Sequence, residues 1–92
     1  MLGEKIMKYT VVVFASRSDT MRFYKIIKNY GLFCSVINTP RSLSSSCGVS
    51  VKIDRRLLVY SSSIIKQSNL YSFKGIFDVE LINGKETVIR LM

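Results

Sequence analysis

The chain has 92 residues, enough for one small domain at the usual roughly 100–200 residues each. It is 48% hydrophobic and 22% charged, with one Pro and five Gly, which excludes the disordered, collagen-like and linker classes. Fourteen Lys and Arg against six Asp and Glu leave a net charge of +8, with two Cys and no His.

Residues 8–15 (Lys-Tyr-Thr-Val-Val-Val-Phe-Ala) are β-branched and aromatic and end at Ser16-Arg17-Ser18-Asp19. Such a run predicts a central strand, apolar on both faces. A helix follows, with Ser18 or Asp19 as its N-cap, because a short side-chain oxygen can accept a bond from the first-turn amides. Phe23, Ile26, Ile27 and Tyr30 fall at i, i+3, i+4 and i+7 and predict one buried face. Gly31 suits the left-handed residue that ends many helices. Leu32–Asn38 reads as a second strand, broken by Thr39-Pro40-Arg41. Residues 42–48 (Ser-Leu-Ser-Ser-Ser-Cys-Gly) form a polar loop.

Val49, Val51 and Ile53 alternate with Gly48, Ser50 and Lys52, the period of a half-buried third strand. Asp54 can cap a second helix with Leu57, Leu58, Ser61, Ile64 and Ile65 on one face, although Ser61–Ser63 weakens its propensity. Residues 71–82 return as a strand. Asn83-Gly84 then makes a type I′ turn into a last strand over 85–91.

This order predicts an α+β domain over residues 1–92. Its expected fold is a ferredoxin-like βαββαβ plait over about 8–82, with an extra C-terminal hairpin strand. Right-handed crossovers set strands one and two parallel, with strand three between them. The loop over 39–47 then lies at the same end as the start of helix one, which brings Cys47 toward Ser16, Arg17 and Ser18. The face of the sheet away from the helices is expected to carry residues such as Val12 and Phe14.

The run Thr39-Pro40-Arg41-Ser42-Leu43-Ser44-Ser45-Ser46-Cys47-Gly48, preceded by a strand ending Phe14-Ala15-Ser16 and a helix, resembles a family of small bacterial proteins. That family is described as selenium/sulfur carrier-like, a domain of unknown function, and the resemblance spans about residues 8–80. It implies that Cys47 carries sulfur or selenium, received from a donor protein as a persulfide or selenopersulfide and passed to an acceptor protein. The implied protein is a carrier or sulfurtransferase-like accessory rather than a self-sufficient enzyme.

Such a cysteine has to reach its thiolate form, and an ordinary thiol of pKa near 8.5 is only about 3% ionised at pH 7. Without His, the available aids are Arg41 and Arg17, the positive end of helix one, and donors from Ser44, Ser45, Ser46 and the loop amides. Ser16 stands at that helix end. Gly48 lets the backbone turn or approach beside the sulfur. Cys34, inside an apolar strand, reads as a core residue, and a Cys34–Cys47 disulfide is not expected in a reducing compartment.

Other classes fit less well. No metal or cofactor is expected: the commonest zinc ligand is missing and the cysteines are not spaced CxxC. There is no GxGxxG, P-loop or paired-carboxylate spacing for an enzyme. The basic charge invites a nucleic-acid module, but the third strand has no aromatic and strand one offers only Tyr9 and Phe14. A non-catalytic interaction or regulatory module, including a homodimer, is the main alternative. No apolar run is long enough to span a bilayer, and MLGEKIMK does not read as a signal peptide, so a cytoplasmic setting is expected.

Overall fold

The computed structural model describes residues 6–43 and 47–92. The chain runs β1 (Ile6–Phe14), α1 (Arg17–Asn29), β2 (Cys34–Asn38), β3 (Val49–Ile53), a 3-10 turn (Arg55–Leu57), α2 (Leu58–Gln67), β4 (Phe73–Ile82) and β5 (Lys85–Arg90). The strands form one α+β sheet in the order β2-β3-β1-β4-β5, and every neighbouring pair is antiparallel. β1 and β2 therefore run the same way, both antiparallel to β3. Among the described residues no helix is long and apolar enough to cross a membrane.

The periodicity of α1 places Phe23 and Ile27 in the core, with Thr20 beside them. Tyr30 differs from the sequence expectation: it is 60% exposed, with its ring set edge-on against Tyr60 at 5.6 Å. The helix stops because Gly31 takes φ +76°. Gly31 N–H then donates to Lys28 O at 2.9 Å and Leu32 N–H to Ile27 O at 3.2 Å, which satisfies two orphan carbonyls of the last turn. That closing turn consumes Leu32, so β2 begins at Cys34 rather than Leu32. Asp54 caps as expected, but its carboxylate receives the Arg56 N–H at 2.8 Å and opens a 3-10 turn before α2 begins.

Register decides the two faces of the sheet. Thr10 pairs with Ile53 and Asp78, and Val12 with Val51 and Ile76. The even-numbered β1 residues face the helices, and Val12 and Phe14 join Phe23, Ile27, Ile64, Ile65 and Leu70 in the main core. Val12 and Phe14 are thus not on the helix-free face, because side chains alternate strictly along the strand. That face holds Val11, Val13 and Val79, which are buried under Leu43, Ile37, Phe77, Val88 and Tyr9.

Leu43 reaches this position because the loop after β2 folds across the sheet. Leu43 N–H donates to Pro40 O at 2.9 Å, closing a turn. Ser42 N–H then donates to the Glu86 carboxylate at 2.8 Å, on the strand at the opposite edge. The hairpin turn takes the form its sequence predicts, with Asn83 at φ +51° and Gly84 at φ +85°.

Candidate functional site

The site is built at the end of the sheet where β1 finishes and α1 starts. Ser16, not Ser18 or Asp19, is the N-cap: its Oγ accepts the Asp19 N–H at 3.0 Å. Asp19 is the third residue of the helix, where an acidic side chain commonly reaches back to the N-cap amide. Here the return runs through a third residue. Ser16 N–H donates to Ser72 Oγ at 3.1 Å, and Ser72 Oγ–H donates to Asp19 Oδ2 at 2.7 Å. Ser72 N–H adds a bond to the same oxygen at 3.0 Å. The Ser72 hydroxyl and amide hold the Asp19 carboxyl below its ordinary range, with Arg22 a smaller contributor.

This lock fixes Thr20, which is fully buried and donates its hydroxyl proton to Ser16 O at 2.9 Å. Thr20 Oγ1 also lies 3.6 Å from the sulfur of Cys47. The half-buried Cys47 thiol can donate to Val49 O at 3.1 Å and Phe14 O at 3.3 Å. Cys47 therefore sits among the end of β1, the first turn of α1 and the start of β3. Ser16 and Cys47 share Thr20 as a neighbour.

The remaining candidates spread around this point. Gly48 is exposed with φ +73° and no atom within 4 Å of where a Cβ would stand, so it serves the turn and not a close approach. Its carbonyl accepts the Thr39 N–H at 3.0 Å, tying the two ends of the loop. Thr39 and the buried Ser50 share a hydroxyl bond of 2.8 Å beside it. Arg17 is exposed at the first position of α1. Arg41 is exposed and lies near Glu86, whose carboxyl is held below its ordinary range by the Ser42 hydrogen bond first and by Arg41 second. Ser44, Ser45 and Ser46 lie outside the described residues.

Neither Cys34 nor Cys47 is in a disulfide. Cys34 is buried at the opposite end of the β2–β3 pair, and burial pushes its thiol up. Among the described residues no three His, Cys, Asp or Glu side chains gather as metal ligands. A separate concavity of about 430 Å³ lies at the other end of the sheet, lined by Lys8, Tyr9, Thr10, Lys52, Arg55 and Asp78. Its buried Asp78 is satisfied by Thr10 Oγ1 at 2.7 Å and Arg55 at 3.3 Å, a structural ion pair.

Sequence reasoning did not name Thr20, Ser72 or the two carbonyls. Thr20 directly follows the Ser16-x-x-Asp19 pattern, which was the available signal. Ser72 had none, being 56 residues from the cap it completes.

A family model described as putative Se/S carrier protein-like matches residues 8–77, a span that holds α1, the loop and Cys47. No curated protein matches the chain, and no solved structure does.

Proposed function

Because the chain belongs to the putative Se/S carrier protein-like family, we propose that it carries sulfur or selenium on Cys47 between a donor and an acceptor protein. The observation that supports this reading most is the place of the Cys47 thiol: half-buried, at a strand end and a helix start, inside the matched span.

In the loading step the Cys47 thiolate attacks the outer sulfur of a donor persulfide, R–S–SH. A new S–S bond forms to Cys47, the donor S–S bond breaks, and R–S⁻ leaves with the electron pair. Cys47–S–SH remains, and the exchange involves no net oxidation or reduction. The selenium case replaces the outer atom and follows the same balance. An acceptor nucleophile then takes the outer atom and releases the Cys47 thiolate.

The outer atom carries the charge of the loaded form, one bond beyond the carbonyls of Phe14 and Val49. Ser44, Ser45 and Ser46, adjacent in sequence, supply hydroxyl and amide donors to it in this reading. Gly48 shapes the turn, Ser16 sets the helix start, and Arg17 and Arg41 add positive potential that attracts an anionic donor group. In this reading the protein works as an accessory, receiving its sulfur or selenium from the donor protein. The fold we assign is a ferredoxin-like plait with β5 appended, supported by the order β2-β3-β1-β4 and by helices after β1 and β3. A cytoplasmic setting suits two free thiols.

Incubation with a cysteine desulfurase and cysteine, or with a selenide-loaded donor, followed by intact mass, tests the proposal. One added sulfur or selenium atom, lost in Cys47→Ser and kept in Cys34→Ser, is the expected result. No adduct on a folded protein, under conditions where a known carrier loads, would overturn it.

A further inference from the structure

β5 is an edge strand of six residues, with no proline and no bulge. Natural sheets usually blunt or cover such an edge, often with charges, and β5 carries Lys85, Glu86 and Arg90, which admit only a partner that pairs them with opposite charge. Among the described residues, the loop from β2 meets β5 through the Ser42–Glu86 bond, on the face of the sheet. Ile89, on the helix side of the sheet, is 62% exposed.

The outward groups of β5 follow from its pairing with β4. The tight turn joins Ile82 to Lys85, and Leu91 N–H donates to Ile76 O at 2.7 Å. The odd-numbered residues therefore turn their peptide groups toward β4, and alternation turns those of Glu86, Val88 and Arg90 outward. We infer that this edge pairs antiparallel with β5 of a second copy, about a two-fold axis through Val88.

Three points select that register. A two-fold axis perpendicular to the sheet pairs residues of like parity, so Val88 meets its own copy. Glu86 then faces the partner's Arg90, and symmetry repeats the contact. Moving the axis to Thr87 or Ile89 sets Glu86 or Arg90 opposite valine and leaves fewer outward peptide groups paired. On the other face, Ile89 comes beside its copy on the diagonal, within reach of apolar contact. Glu86 Oε1 accepts from Ser42, and Arg90 donates through Nε and Nη2 to Met92 O and Lys74 O and lies over the Phe77 ring at 5.7 Å, so pairing exchanges part of these contacts within one chain for the partner's opposite charge. β2, the opposite edge, is Cys-Ser-Val-Ile-Asn and has no charge to set a register. The two five-stranded sheets join as one continuous sheet. Cys47 takes no part, so this inference stands apart from the carrier reading.

Sedimentation equilibrium of the full chain over a concentration series tests it. Glu86→Arg places Arg opposite Arg, and Arg90→Glu places Glu opposite Glu. Each variant alone is expected to weaken the dimer by about tenfold or more, because like charges opposite each other destabilise a strand pair. An equimolar mixture of the two is expected to recover the dimer as a heterodimer. Val88→Pro removes an outward N–H, leaves the β4 ladder intact and is expected to give a monomer. Thermal melts check that each variant is folded. A monomeric wild type at its highest soluble concentration would overturn the inference. So would a dimer indifferent to the charge reversals, or variants that stay apart when mixed.

Discussion

Three contacts of the Cys47 sulfur are with oxygens: the carbonyls of Val49 and Phe14 and the hydroxyl of Thr20. Thr20 has given its proton to Ser16 O, so it presents a lone pair. These contacts all favour the S–H form, in which the sulfur is the donor. In the proposed carrier cycle, loading would relieve the mismatch by moving the charge outward by one S–S bond of roughly 2.05 Å. Thr20→Val is therefore expected to speed Cys47 alkylation at fixed pH by about two- to fivefold, the effect of losing one weak acceptor. Timed iodoacetamide labelling read by mass checks this, and an unchanged or slower rate would reject the proton assignment. Ser61 offers a second single-atom test. It is fully buried on α2, and its Oγ has no hydrogen-bond partner among the described residues. Ser61→Ala removes a desolvated hydroxyl and improves helix propensity, for an expected gain of about 1–2 kcal/mol. Urea unfolding measures it; a loss of stability would mean that the hydroxyl is satisfied.

The start of α1 behaves as a unit with the beginning of β4. Ser16, Asp19 and Ser72 form a closed ring of hydrogen bonds, and the Asp19 carboxyl is held below its ordinary range because Ser72 donates to it twice. A depressed carboxyl contributes stability above its unfolded pKa and loses it as pH falls through the lower folded value. Asp19→Asn keeps an acceptor but removes the charge, so it is expected to cost about 1 kcal/mol at pH 7. The gap from wild type should close as the pH falls toward about 3 or below. Denaturant melts across that series decide the point, since a gap independent of pH would place the effect elsewhere.

For the whole molecule, legibility followed the range of the interaction. Alternation in Val49–Ile53, the 3.6-residue stripe of Phe23 and Ile27 and the Asn83-Gly84 turn are local patterns, and each element lies where its pattern puts it. Strand faces were not legible, because Val11, Val12 and Val13 are all apolar and only the register with β3 tells the two faces apart. Pro40 and Leu43 read as plain loop residues, since nothing local says that a loop will cross to Glu86 on the far strand. Cys47 stood out by its setting, whereas Thr20 and the carbonyls around it needed three separate segments brought together. The ring through Ser72 also bears on the order of folding. A chain still being synthesised can form the local Ser16–Asp19 cap bond but cannot close the ring until residue 72 has emerged and docked against Ser16. Until then the start of α1 is not tied to β4, and the Ser16 amide lacks its Ser72 acceptor. Long-range contacts of this kind close slowly, so the helix cap precedes the tie that fastens it to the sheet.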